Sequence, residues 1–200
     1  MPYPFGSHET RVMTAIPAVV EDFWRTFGRT PQLNYVEDTW ILPEHYFKQT
    51  WPGESEYLIL LIENQAVCRA GIRREDLFLP DPPVYTQMEE DDPWLLSAPT
   101  TSEFLESALL YEGVWEMEYA PEEFYWLTDE ELAQFQAKLT KHPVVLKNWM
   151  GMEITCYSNR PDNLVVIMDV GDQYQTFFGA VTEESYLELM DVMEGLGEPI

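Results

Sequence analysis

The sequence predicts an α+β protein with a central, mostly antiparallel sheet flanked by helices. Three observations carry this. Apolar runs of strand length fall in consecutive groups instead of alternating singly with helical patterns, which disfavours a doubly wound parallel sheet. Two Thr-x-x-Glu signatures, Thr100/Glu103 and Thr128/Glu131, each precede an apolar stripe at helical spacing. Finally, 46% of the 200 residues are hydrophobic and 14% aromatic, enough to offset chain entropy and build a real core.

Pro17 opens the first helical pattern, in which Val20, Phe23, Trp24 and Phe27 share one face and Gly28 supplies a stop. A loop including Pro31 and Asn34 follows, then a short helix over Leu42 to Phe47. Tyr57 to Ile62 is an unbroken apolar run of central-strand character, and Glu63-Asn64 turns it into a second strand over Ala66 to Ile72. Pro82-Pro83 leads into Val84-Tyr85-Thr86, expected at a sheet edge because proline cannot donate to a ladder. Phe104, Leu105, Ala108 and Leu109 make the stripe of a helix ending near Gly113, and Leu132, Phe135 and Leu139 that of another. Met152, Ile154 and Cys156 alternate with Glu153, Thr155 and Tyr157, and a turn at Asn159 to Asn163 leads into Leu164 to Met168. Gly171-Asp172 turns into Tyr174 to Val181, and Thr182 starts a last helix with Tyr186, Leu189, Met190 and Met193 on one face. There is no internal repeat. Residues 16–200 read as a single domain, with the acid- and aromatic-rich stretch from Glu112 to Glu131 the nearest thing to a boundary. Residues 1–15 form an N-terminal segment without a core signal, in which Gly6-Ser7-His8 reads equally as native sequence or as an expression-vector scar.

Charge narrows the function classes. Lys plus Arg number 11 against 36 Asp plus Glu, a net charge of −25. Nucleic acids and anionic membranes need basic surface, so neither is an expected partner. Met1 to Arg11 lacks a basic leader followed by an apolar stretch, and no apolar run reaches spanning length, so a cytoplasmic protein is expected. Cys68 and Cys156 are far apart in apolar segments and read as buried thiols.

No phosphate-binding loop, dinucleotide fingerprint, zinc-protease helix, esterase elbow or paired-cysteine knuckle occurs, and His8, His45 and His142 are dispersed. With 36 acids, carboxylate pairs at hydrolase or metal spacing arise by chance and select no dyad. Glu89-Glu90-Asp91-Asp92 lacks the alternation and glycine of a calcium loop and reads first as solvated loop. A second reading joins it to Trp94 and to Trp115, Glu116, Glu118, Glu122 and Glu123. In it, apolar anchors are ringed by acids that steer a cationic protein partner, with Tyr119, Phe124, Tyr125 and Trp126 interleaved. The same spacing also describes core residues on elements with charged outer faces, and for most of these aromatics that is the expected role.

One set of segments is similar to a known family. Glu21 to Gly28, Leu42-Pro43-Glu44, Ile62 to Ile72, Asp81-Pro82-Pro83-Val84-Tyr85 and Ser102 to Leu105 occur in the order seen in bacterial proteins of the SMI1/KNR4-like (SUKH) superfamily, over roughly residues 17 to 112. The chain departs from that pattern at Ala66, where glycine is usual, and at Ala70, where tryptophan often precedes the glycine. The resemblance implies an α+β domain with a mostly antiparallel sheet, no catalytic residues and no cofactor. It also implies an immunity-type role, in which the protein binds and neutralises a cognate toxin, often a nuclease, by surface occlusion. The alternative it implies is an intracellular regulatory or scaffold module, as among the fungal relatives.

Overall fold

The computed structural model of the chain describes residues 3–5, 12–14, 16–28, 30, 37–41, 56–89 and 91–199. The loop with Pro31 and Asn34 and the helix expected over Leu42 to Phe47 lie outside these residues. The chain divides into two compact units, Met1–Phe104 and Leu105–Ile200. The α+β class holds: among the described residues, helices accompany a five-stranded antiparallel sheet and a two-stranded one in the first unit and a six-stranded antiparallel sheet in the second. Among the described residues, no helix is long and apolar enough to cross a membrane.

In the first unit β1 (Tyr3–Phe5) pairs antiparallel with β2 (Val12–Thr14). Helix α1 (Ala18–Phe27) begins behind Pro17, whose missing N–H costs nothing there, and ends where the Gly28 N–H bonds Trp24 O at 3.0 Å. Val20, Phe23 and Trp24 are buried, and Phe23 packs its ring 4.9 Å from that of Trp40. Phe27, expected on the same face, is exposed at the helix end.

The first sheet runs β3 (Thr39–Trp40), β4 (Tyr57–Ile62), β5 (Arg69–Arg73), β6 (Val84–Gln87) and β7 (Leu95–Ala98), each antiparallel to the next. β4 is buried from Tyr57 through Leu61, as the unbroken apolar run predicts for a strand covered on both faces. Its pairing with β5 slips between Ile59 and Leu61, and the carbonyl of the intervening Leu60 accepts from Ile41 N–H at 2.9 Å. β6 corrects the edge-strand expectation, because it lies between β5 and β7. Pro82 and Pro83 precede the strand, so neither removes a ladder donor.

The β4–β5 connection is organised by a buried acid. The Glu63 carboxylate accepts from Gln65 N–H at 2.9 Å and Val67 N–H at 3.2 Å, and Asp38 accepts from Asn64 N–H at 3.2 Å. Residues 64–67 are consumed by this turn, so the second strand starts at Arg69, later than the expected Ala66. Ala66 itself sits at φ 62°, a left-handed conformation that glycine adopts freely and alanine does not.

Helix α2 (Thr101–Trp115) carries the chain across the division, which falls between Phe104 and Leu105 and not in the Glu112 to Glu131 stretch. Its N-terminal amides are met by side chains: Asp81 accepts from Ser102 N–H at 2.9 Å and Thr100 from Glu103 N–H at 3.2 Å. The helix continues two residues beyond Gly113, the expected stop.

The second unit holds β8 (Tyr125–Leu127), α3 (Asp129–Gln136), β9 (Thr140–Trp149), β10 (Met152–Ser158), β11 (Asn163–Asp169), β12 (Tyr174–Ala180), α4 (Glu183–Met193) and β13 (Glu198–Pro199). The strand order is β13-β8-β12-β11-β10-β9, so β9 to β12 form a meander extended by β8 and β13. Met150 and Gly151, both at positive φ, make the two-residue turn between β9 and β10 that suits the twist of a hairpin. β9 is a sheet edge carrying Lys141, Pro143 and Lys147, residues that blunt strand pairing. One sheet face packs on α3 and α4 through Leu127, Leu132, Phe135, Val165, Phe178 and Leu189. Leu139 belongs to this core although α3 ends at Gln136. Thr155 and Tyr157 are buried as well as Ile154 and Cys156, so the expected polar face of β10 is covered.

Both later helices start as the sequence predicts. Thr128 and Glu131 bond reciprocally, Thr128 N–H to the Glu131 carboxylate at 2.9 Å and Glu131 N–H to Thr128 Oγ1 at 3.4 Å. Thr182 caps α4 through Ser185 N–H at 3.4 Å. Asp162 accepts from Thr182 and Ser185 at 2.8 and 3.0 Å, while Arg160 reaches Glu184 and Glu188 at 3.1 and 2.9 Å, fastening the β10–β11 turn to the helix. The hydroxyl bonds, led by that of Thr182, hold the Asp162 carboxyl below its ordinary value.

Two outcomes follow from these local geometries. Replacing Ala66 by glycine relieves about 1–2 kcal/mol of left-handed strain against about 0.4–1 kcal/mol of added chain entropy. Its denaturation midpoint is therefore expected to rise slightly, and a lowered midpoint would refute strain at that turn. Glu131 is held below its ordinary value first by the Thr128 N–H, then by the Thr128 hydroxyl and the Gly197 N–H. Its contribution is thus present above the unfolded value of ~4.3 and is lost as pH falls through the lower folded value. Thermal melts of the chain and of Glu131→Gln are expected to converge on acidification through that window, and a constant gap would contradict the linkage.

Candidate functional site

The residues proposed from sequence as a binding surface fall into two groups, one in each unit. In the first, the acidic turn connects β6 to β7, and Glu89, Asp91 and Asp92 are exposed; Glu90 lies outside the described residues. The turn is pinned by its own polar groups. Asp92 N–H bonds Glu89 O at 3.1 Å, Glu89 N–H bonds the Asp92 carboxylate at 3.2 Å, and Gln87 Nε2 bonds Asp92 O at 2.7 Å. One of its carboxylates is therefore partly committed to holding the loop.

Trp94 follows the turn and is half-buried. Its indole stacks on Tyr57 of β4, with ring centroids 3.7 Å apart and planes 11° from parallel. Tyr57 in turn meets Tyr85 edge-on at 6.1 Å. Arg73 completes the cluster, donating from Nε to Tyr57 Oη at 3.2 Å with its guanidinium carbon 4.2 Å from the Tyr85 centroid. The Tyr57 hydroxyl bond is the leading cause that raises the Arg73 pKa. Sequence reasoning named Trp94 but missed Tyr57, Arg73 and Tyr85. These three come from separate strands, and their only sequence signal is the clustering of Arg69, Arg73 and Arg74 in an otherwise acidic chain.

The second group lies at the end of α2 and in the segment that follows. Trp115 is half-buried and stacks on Phe177 of β12 at 4.5 Å, with Phe124 at 5.7 Å and Tyr111 edge-on at 6.0 Å. Among the described residues its buried Nε1 has no hydrogen-bond partner. From Trp115 the chain alternates. Met117 and Tyr119 are half-buried, and Glu116 and Glu118 are exposed between them. Tyr119 is held by a two-way backbone bridge to Ala180, at 3.1 and 2.8 Å. Gly179 makes this approach feasible, since a Cβ there would stand 2.8 Å from Met117 Cβ and 3.2 Å from Tyr119 O. Glu122 and Glu123 are exposed, and Phe124, Tyr125 and Trp126 are half-buried. Phe124 packs against Trp115 and Phe177, and Tyr125 against Phe178, so these rings serve the core while staying partly exposed.

Chemically, these carboxylates are solvated surface charges. Among the described residues Asp38, Glu63 and Glu112 are buried, and the first two are used by the backbone of the β4–β5 turn. Among the described residues, no three His, Cys, Asp or Glu side chains form an arrangement that could hold a metal ion. His142, on β9, meets Ser158 Oγ at 3.1 Å across the ladder. Both cysteines are buried thiols, and burial pushes the Cys156 thiol up to about 12, so Cys156 presents no thiolate at neutral pH.

Comparison of the chain with protein-family models, with curated proteins and with solved structures finds no match.

The close fit of Met117 over Gly179 anchors the acidic segment to β12, and Gly179→Ala tests it. The variant is expected to lose about 1–3 kcal/mol of stability to overpacking at a site where the opposing atoms are a Cβ and a main-chain oxygen. A denaturation midpoint equal to that of the unmodified chain would show that the segment yields without cost.

Proposed function

We propose that this chain is a non-catalytic, immunity-type binding protein of the cytoplasm, one that neutralises a basic toxin domain by covering its surface. The observation that carries this reading is the patterned segment from Trp115 to Trp126, where exposed acids alternate with aromatics held half-buried against the sheet. A surface of that kind supplies apolar anchors with fixed rotamers and a negative rim, the combination that gives protein interfaces both affinity and fast encounter. The net charge of −25 extends the same field over the whole molecule and suits a partner whose own surface is built to bind nucleic acid. The Ala66 backbone gives the family resemblance separate support: its positive φ stands where that family carries glycine. The acids act here through their field, so the occlusion requires no bond to be made or broken.

The test uses tagged protein in a lysate of the source cell at low and moderate salt, beside a variant with Glu116, Glu118, Glu122 and Glu123 changed to lysine. The unmodified chain is expected to retain one basic, toxin-like protein that salt releases. The on-rate for that purified partner is expected to fall at least about tenfold in the variant or on raising salt. An on-rate indifferent to both changes, or retention of several unrelated host proteins, would overturn the reading.

A further inference from the structure

The first unit contains a cleft of about 480 Å³ whose described lining is Glu56, Tyr57, Arg73, Arg74 and Glu75. That volume lies within the range of roughly 300–1,000 Å³ typical of small-molecule sites. Its organising group is Arg73. One edge of the guanidinium is fixed by the bond from Nε to Tyr57 Oη, and its face is fixed by the Tyr85 ring. Tyr57 is itself locked against Trp94. The other edge is differently placed. Nη1 stands 3.7 Å from Glu75 Oε1, beyond hydrogen-bond distance, and the Glu75 side chain is 75% exposed. Among the described residues, the Nη groups of Arg73 thus donate no hydrogen bond, although the guanidinium is already oriented.

A guanidinium held by an aromatic face and a hydroxyl, 40% exposed and with N–H groups still to be satisfied, is suited to recognise a planar carboxylate through two parallel bonds. The rest of the lining selects among carboxylates. Two arginines and two glutamates balance among the described residues of the lining, whereas the chain as a whole carries −25, so a net anion approaches against the field. A ligand bearing both a carboxylate and an ammonium group avoids that cost and satisfies both signs of charge. The 3.7 Å between Arg73 and Glu75 sets the two complementary charges side by side, as the two charged groups are in an α-amino acid.

We propose that this cleft binds a free α-amino acid, its carboxylate on the outer edge of Arg73 and its ammonium group against Glu75. The described lining belongs to the first unit, and the proposal goes beyond the binding-protein reading, on which it does not depend.

Isothermal titration of the full chain with single L-amino acids, without any protein partner, tests it. At least one amino acid is expected to saturate the protein at millimolar concentration or below. Acetylating its amine, converting its carboxylate to the amide, or introducing Arg73→Lys is each expected to weaken binding by at least about tenfold, because each removes one of the paired charges or the two-bond fork. Should Arg73→Lys melt far below the unmodified chain, the exposed Glu75→Gln decides in its place, with the same loss expected. Absence of saturation by every amino acid, equal binding of the acetylated analogue, or equal binding of acetate or inorganic phosphate would overturn the proposal. These outcomes leave the toxin-binding reading untouched, since no protein partner enters the experiment.

Discussion

Mutual repulsion among uncompensated carboxylates is the constraint to which the rest of this structure answers. A net charge of −25 favours expansion of the chain, and a compact state exists only if the acids stay in water while burial supplies the cohesion. Aromatic and branched side chains supply it, with Trp149, Phe104, Phe135 and Phe178 among the largest fully buried residues. Two of the acids that enter the interior, Glu63 and Asp38, have oxygens met by backbone N–H groups in the β4–β5 turn. Cations are placed where they relieve the most repulsion: Arg160 sits between Asp162, Glu184 and Glu188, and Lys147 reaches Glu153 across the β9–β10 ladder.

The helices show the same economy. α3 and α4 have acids in the first turn and no base in the last, so favourable charge–dipole interaction is confined to their N-termini. Their C-terminal halves are held by packing on the sheet through Phe135, Leu189 and Met193. At the starts of α2, α3 and α4, hydroxyl caps, carboxylate acceptors or both meet the exposed amides. Surface charge and helix geometry are thereby reconciled at the cost of little buried polar area.

What the sequence reveals of this fold follows from how local the determining interaction is. The Tyr57–Ile62 strand, the two Thr-x-x-Glu helix starts and the Asn159–Asn163 turn are written in adjacent residues, and each appears where it was expected. β9 was not legible, because Lys141, His142 and Pro143 break every local strand signal; the edge position that tolerates them is a property of the sheet order. β8 is three residues inside an acid-rich stretch and owes its extended form to pairing with β12. The same distinction governs the sites. The exposure of the acids was readable from composition and pattern. The stack of Trp94 on Tyr57 and the seating of Arg73 on Tyr85 join residues that no spacing rule connects.

The sheet order of the second unit also bears on the sequence of its assembly. β9 to β12 close through successive hairpins between neighbours in the chain, contacts that form early because little loop entropy is spent on them. β8 must instead find β12 across some fifty intervening residues (Tyr125 opposite Thr176), and the Tyr119–Ala180 bridge spans a greater separation still. The acidic segment is therefore tied down by contacts far apart in sequence, which cost more loop entropy than the hairpins of the meander. Its pattern of outward carboxylates and seated rings exists only once the meander is complete, which makes that surface a report of finished folding. A partner that recognises it distinguishes the mature chain from every shorter-lived intermediate.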